Sequence, residues 1–253
     1  MAERVLIVGA TSAIAAEVAR AYAGRGARLH LLARSGEKLQ VLLGTLGSAA
    51  EGGAPLVTSE LADFNELTQI DGLVERSVKA LGGIDVVLIA HGELGDQLES
   101  ERAFAAADAA FRSNFLSVIA FLVPLANTLE AARSGCIGVI TSVAGDRGRP
   151  RNYTYGAAKG ALNVYLQGLR SRLFRSGVRV VTLKLGPVDT PMTVSHEKTA
   201  LFGKPKPVAA SIVRALDAGV PEAYVPWFWG LIMPIVKNTP ERLFQLLPFL
   251  SGR

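Results

Sequence analysis

Six short apolar runs recur along the chain, each separated from the next by enough residues for a helix. They are "RVLIV" (4–8), "RLHLLA" (28–33), "PLVTS" (55–59), "DVVLIA" (85–90), "CIGVITS" (136–142) and "VRVVTLKL" (178–185), and a short "AYV" (223–225) makes a seventh. Several are apolar nearly throughout instead of alternating, the pattern of parallel strands covered on both faces. The intervening stretches, such as 13–23 and 65–81, carry helical spacing. Strand and helix taking turns in this way predict an α/β fold: a doubly wound, Rossmann-type parallel sheet of about seven strands with helices on both faces. Ligands in such sheets bind beyond the carboxyl ends of the strands, so the residues just after each run carry the functional information.

At 253 residues the chain is expected to be one domain, 1–253, a usual size for an undivided α/β fold. The lone cysteine, Cys136, cannot form an internal disulfide, which fits a reducing, cytoplasmic setting. His30, His91 and His196 are dispersed, so no metal site is expected. The net charge of +5 comes from scattered residues without a basic stripe, which argues against nucleic acid as a partner. The start, "MAERVLIVGATSAIAA", imitates a signal peptide. Its apolar run is broken by Gly9, Thr11 and Ser12, however, and reads as the first strand and turn of the fold. No apolar stretch is expected to cross a bilayer.

After the first run comes "GATSAIA". Gly9 permits a tight turn, and a helix beginning near Ser12 or Ala13 would aim free N–H groups and a partial positive charge at a pyrophosphate. With a single glycine the motif is weak, and a purely structural strand-to-helix turn accounts for it equally. At the end of the second run stands Arg34, where an acidic residue would hold the ribose hydroxyls of NAD. An arginine there suits a 2′-phosphate; a solvated arginine at a strand end is the alternative.

The most specific stretch is "SVAGDRGRPRNYTYGAAKGAL". Tyr155 and Lys159 are four residues apart at the start of a helix and so share a face. Ser142 closes the buried run before them. A phenol acts as general acid near neutral pH only with a tuned pKa, and a neighbouring ammonium lowers it. Together these features resemble the short-chain dehydrogenase/reductase family over essentially the whole chain. Its "YxxxK" is Tyr155 to Lys159, its serine is Ser142, its active-site asparagine matches Asn114 in "FRSNFLSV", and its "PGxVxT" appears as "LGPVDT".

The resemblance implies Tyr155 as acid/base and Ser142 as partner of the substrate oxygen. It implies Lys159 on the nicotinamide ribose, lowering the tyrosine pKa, and Asn114 holding a water of the proton relay. It also places NADP(H) along Gly9, Thr11, Ser12, Ala13, Ile14, Arg34, Ala90, Gly92, Tyr155, Lys159, Gly186, Pro187, Val188 and Thr190. Three departures stand out: "VGATSAIA" for "TGxxxGxG", "IAHG" for "NNAG", and Glu60-Leu61 for "DV". Glu60 or Asp63 is expected to approach the adenine.

Two regions concern the substrate. Arg147, Arg149 and Arg151 in "DRGRPRN" would flank the mouth of the site, where guanidinium groups grip phosphate, or else they are solvated or pair across a subunit contact. The last stretch, 224–253, holds Trp227, Phe228, Trp229, Leu231, Ile232, Met233, Ile235 and Val236, then Leu243, Phe244, Leu246, Leu247, Phe249 and Leu250, with Lys237, Arg242 and Arg253 interspersed. It reads as a membrane-interface segment, a substrate lid, a dimer contact or plain core, with 190–206 as a substrate loop. The combination is similar to the reductases of polyprenyl-phosphoryl 2-keto-pentoses. The expected activity is NADPH-dependent carbonyl reduction, on a phosphorylated lipid-linked keto-sugar in its sharpest form. A small or acyl-chain ketone such as a 3-oxoacyl thioester is the enzyme alternative, and a non-catalytic nucleotide-sensing module is the alternative of another class. A homodimer or homotetramer follows from the resemblance, and the tail adds peripheral contact with the inner face of a membrane.

Overall fold

The computed structural model describes residues 2–47, 57–194 and 198–247. Pro55 and Leu56 of the third apolar run, His196 in the expected substrate loop, and Phe249, Leu250 and Arg253 of the tail lie outside these residues. Seven strands, β1 (Arg4–Val8), β2 (Arg28–Ala33), β3 (Val57–Leu61), β4 (Val86–Ile89), β5 (Cys136–Ser142), β6 (Arg179–Leu185) and β7 (Glu222–Val225), form one sheet in the order β3-β2-β1-β4-β5-β6-β7. Every pairing is parallel. The strand order reverses between β1 and β4, and the crevice at such a reversal is where this architecture receives ligands.

Ten helices cover the sheet or follow it: α1 (Ala13–Ala23), α2 (Gly36–Gly47), α3 (Ile70–Leu81), α4 (Gln97–Arg102), α5 (Phe104–Phe111), α6 (Ser117–Ala132), α7 (Tyr153–Leu173), α8 (Pro205–Ala218), α9 (Trp229–Asn238) and α10 (Glu241–Leu246). Successive strand side chains point to opposite faces. Val5 and Ile7 therefore join Ala15, Val18 and Tyr22 of α1 and Ile212 and Leu216 of α8 in one core. Leu6 and Val8 join Leu73 of α3, Phe121 and Leu125 of α6 and Leu162 and Leu166 of α7 in the other. Two-sided burial is why these strands lack alternation.

The helical stretch 65–81 opens with a tight turn, Leu67–Gln69, and α3 proper starts at Ile70. The segment Phe104–Ala132 corrects the expectation about membrane spans: it is 29 residues long with a hydropathy of 1.7, enough by length and composition to cross a bilayer. Its apolarity has a core explanation, since Val118, Phe121, Leu122, Leu125, Ala126 and Leu129 are buried on the sheet. Between α5 and α6 the helix widens into one π-turn, Arg112–Leu116, a distortion that favours functional sites.

The tail divides by face. Trp229, Met233 and Val236 of α9 and Phe244 of α10 are buried with Val143 in a third, small core, with Tyr224, Phe228 and Ile232 against it. These side chains hold the tail onto the turn after β5, the packing of a plain core. Trp227, Leu231, Ile235, Leu243 and Leu246 remain exposed. Leu231 and Ile235, four apart, form a stripe on the outer face of α9.

Candidate active site

A cavity of about 1030 Å³ runs from the start of α1, past the ends of β4, β5 and β6, to the segment 185–193 and Trp229. At one end Thr11, Ser12, Ala13 and Ile14 line it. The Ser12 hydroxyl caps α1 by accepting from Ala15 N at 3.1 Å. Gly9 meets two constraints at once: its φ is +81°, and a Cβ there would lie 2.7 Å from the His91 backbone nitrogen. No other residue type fits. At positions 13 and 15, within the first helical turn, alanine is accommodated. Ala90, Gly92, Gly186, Pro187, Val188 and Thr190 also line the cavity. A Cβ on Gly92 would come 2.8 Å from Asn114 Oδ1 and 3.2 Å from Lys159 Nζ. Helix N–H groups, a glycine turn and close backbone approach together fit an extended pyrophosphate-bridged dinucleotide.

The residues expected near the adenine make other contacts. Glu60 is ion-paired with Arg76 at 2.7 Å, Asp63 accepts from the Asn65 backbone N–H at 2.9 Å, and Leu61 is exposed. None lines the cavity, because β3 is the edge strand and these side chains turn to α3 or to solvent. Arg34 is exposed at the end of β2, outside the cavity wall, whereas Lys38 lines it. Lys38 was missed in the sequence; its signal is a second cation four residues after Arg34.

His91 was also missed as a functional residue. Its Nε2 lies 2.8 Å from Ser117 Oγ, and that hydroxyl donates its own proton to Ser113 O at 2.8 Å. The serine oxygen must therefore accept, which fixes the imidazole as the Nε2–H tautomer. The ring packs on Phe64 at 4.9 Å. Burial first, then Lys159 and Arg34, push its pKa down to about 3, so it stays neutral. His91 thus ties the end of β4 to the π-turn. That turn carries Asn114, fully buried, with Nδ2 donating to Ala110 O at 2.9 Å and Oδ1 accepting from Glu93 N at 3.0 Å.

The structure brings Ser142, Tyr155 and Lys159 together. Ser142 is the last residue of β5, and its Oγ accepts from Ala144 N at 3.1 Å. Burial pushes the Tyr155 phenol up to about 12, against the hydrogen bond with Ser142, which lowers it. Lys159 sits one turn along α7, its Nζ 5.8 Å from the Tyr155 ring centre and donating to Ile140 O at 3.1 Å. Burial pushes its pKa down to about 8. The ammonium thus meets a main-chain carbonyl, and burial dominates the phenol.

The arginine loop is split. Arg147 points away from the cavity. Its Nη1 donates to Val236 O, Lys237 O and Thr239 O at 2.9, 3.1 and 2.5 Å, its Nη2 pairs with Glu241 at 2.8 Å, and its guanidinium lies 3.9 Å from the Phe244 ring centre. The carbonyls at a helix end lack intrahelical donors, and Arg147 supplies them to α9. It is an anchor for the tail, not a substrate ligand. Arg149 and Arg151 do line the cavity.

Beside them a buried ionic network was invisible in the sequence. Lys184 Nζ lies 2.8 Å from both Asp146 and Glu222, and the Tyr224 hydroxyl donates to Asp146 at 2.6 Å. Burial opposes the Lys184 charge, but the two carboxylates outweigh it and hold the ammonium above its ordinary range. The network pins the loop after β5 to β6 and β7.

With this geometry in place, comparisons with known proteins are specific. The short chain dehydrogenase family matches residues 3–200. An uncharacterized oxidoreductase of Mycobacterium tuberculosis (strain ATCC 25618 / H37Rv) is 32% identical over 244 residues, 96% of each chain. Another, from Streptomyces coelicolor, is 32% identical over 243 residues, 96% of this chain and 94% of the relative. The solved structure of an actinorhodin polyketide ketoreductase variant with NADPH superposes with a TM-score of 0.80 at 23% identity, covering 90% of this chain and 97% of the other. The chain belongs to the short-chain dehydrogenase/reductase family of oxidoreductases.

Proposed function

We propose that this protein is an NADPH-dependent carbonyl reductase. The observation that carries the reading is one cavity whose two ends are chemically different: the start of α1 and Lys38 at one, Ser142, Tyr155 and Lys159 at the other. When bound, NADPH supplies the hydride that reduces the carbonyl carbon. Tyr155, kept protonated by burial, gives its proton to the carbonyl oxygen as that oxygen gains charge. Ser142 orients the oxygen by hydrogen bonding. Lys159 would hold the nicotinamide ribose, and its ammonium stands one helical turn from Tyr155 to restore the phenol proton. Asn114, held by Ala110 O and Glu93 N, keeps the π-turn in place for a water of that relay. Lys38 in the wall and the exposed Arg34 at the end of β2 would hold the 2′-phosphate.

The remaining wall is supplied by 190–206, through Pro191, Met192, Thr193, Thr199, Leu201 and Phe202, and by Trp229 from the tail. This apolar lining, next to Arg149 and Arg151, supports a phosphorylated lipid-linked keto-sugar as substrate; an acyl-chain ketone is the second reading, favoured by the same lining. The exposed face formed by Trp227, Leu231 and Ile235 supports peripheral contact with the inner face of a membrane, and a homo-oligomer follows the family's habit. Nicotinamide fluorescence titrated with NADPH and NADH tests the core of this. Micromolar NADPH binding that Lys38→Ala and Arg34→Ala each weaken about tenfold, with NADH unaffected, supports the reading. A protein that binds neither nucleotide is not a reductase.

A further inference from the structure

We infer that Arg149 and Trp229 form a subsite for an anionic oxygen group, so that the substrate is a ketone bearing a phosphate ester or a carboxylate. The inference rests on the reductase reading and deepens it. Trp229 is only 6% exposed and lines the cavity, yet among the described residues its buried indole N–H has no hydrogen-bond partner. Gly186 makes room for it: a Cβ there would lie 2.0 Å from Nε1. The Arg149 Nε–H is likewise buried without an acceptor among the described residues, although buried donors are rarely left unpaired. The two side chains line the same cavity. Met233 is one turn after Trp229 on the same face of α9, and Arg149 Nη2 rests 3.8 Å from its sulfur.

The surroundings fix the sign of the missing partner. Among the described residues Arg149 has no carboxylate in ion-pair contact, in contrast to Arg147 and Lys184. The adjacent loop carboxylate, Asp146, is occupied by Lys184 and Tyr224. Burial and then the neighbouring Arg151 charge press the Arg149 pKa down, more than the Asp146 carboxylate raises it. An anion relieves both effects and accepts from a guanidinium fork and an indole N–H at once.

Two readouts test this. The chain has two tryptophans, so in the Trp227→Phe protein emission comes from Trp229 alone and reports the subsite without turnover. Inorganic phosphate and 4-oxopentanoate are titrated separately against it, and the shift is expected to disappear in Trp227→Phe/Arg149→Met. In parallel, kcat/KM with NADPH is measured for keto acids with the carboxylate two to six carbons from the carbonyl, each beside its methyl ester. Dihydroxyacetone phosphate is measured beside dihydroxyacetone. The expected result is a preference of about tenfold or more for the anionic member of at least one pair, collapsing toward one in Arg149→Met and partly kept in Arg149→Lys. The carboxylate and phosphate arms tell the two sources apart. Emission that responds to no anion, with pair ratios near one or ratios indifferent to Arg149→Met, overturns the inference. Anion-dependent emission with no ketone turned over leaves the subsite standing and removes the reductase reading instead.

Discussion

Lys159→Met is expected to make the protein more stable while removing its activity. The ammonium is buried, and among the described residues its hydrogen-bond partner is a main-chain carbonyl, Ile140 O at 3.1 Å. Burial takes its pKa from 10.5 to about 8, and at 1.36 kcal/mol per unit that shift is a destabilisation of about 3 kcal/mol. Methionine fills a similar volume without charge. Leaving Ile140 O without its donor costs about 1 kcal/mol, so the variant gains about 2 kcal/mol at pH 7. In a chain of this size that is about 4–8 °C in melting temperature. The sign of the pH dependence follows from linkage: between about pH 8 and 10.5 the unfolded chain holds the proton that the folded chain has lost, so wild-type stability rises with pH across that window. The advantage of the variant is therefore full below pH 8 and has vanished or reversed above about 10.5. Urea or thermal unfolding of both proteins at pH 7 and at pH 10, without nucleotide, measures this. A variant less stable than wild type at pH 7, or a difference that ignores pH, refutes the reasoning.

Three other outcomes follow from the same geometry. Arg147→Met withdraws a charged donor from three carbonyls and is expected to destabilise the protein by about 2–4 kcal/mol, releasing the tail; limited proteolysis between 226 and 247 reads this, and cleavage no faster than in wild type contradicts the anchor role. The rate of reduction is expected to fall above about pH 8, as Lys159 loses its proton while Tyr155, held up to about 12, remains an acid. In a pH profile of kcat/KM, an alkaline limb that does not move up in Lys159→Arg argues for a different group. Asp146→Asn leaves the buried Lys184 with one carboxylate instead of two and is expected to cost about 2–3 kcal/mol, seen as a lower urea midpoint. An unchanged midpoint means that Glu222 alone suffices.

Much of this molecule was legible because its physics is local. Strands β1, β2 and β5 and helix α1 have the residues that the apolar runs and the cap predict, since burial on both faces leaves an uninterrupted apolar run. Ser142, Tyr155, Lys159 and Asn114 converge because each sits at a strand end or on a helix crossing it. Direction across space was not legible. Arg147 and Arg149 are two residues apart in one loop, and nothing local says that one closes a helix end while the other turns inward. The tail is apolar on both faces, so its composition cannot separate Trp229, inside, from Trp227, outside. Lys184 stands within the apolar run 178–185, and the carboxylates that justify its burial come from elsewhere in the chain. The Glu60 ion pair is hidden for the same reason: its partner, Arg76, belongs to the following helix.

The two alanines that open α1 have an effect of their own. Alanine loses less backbone freedom on entering a helix than glycine, by about 0.5–1 kcal/mol at each position, so Ala13 and Ala15 together favour the ordered first turn by about 1–2 kcal/mol. A glycine-rich turn yields more closely to a phosphate but leaves more of its ordering to be done on binding. Here the cradle is preorganised: the row of N–H groups stands ready before any ligand arrives, and binding need not supply the entropy of building it.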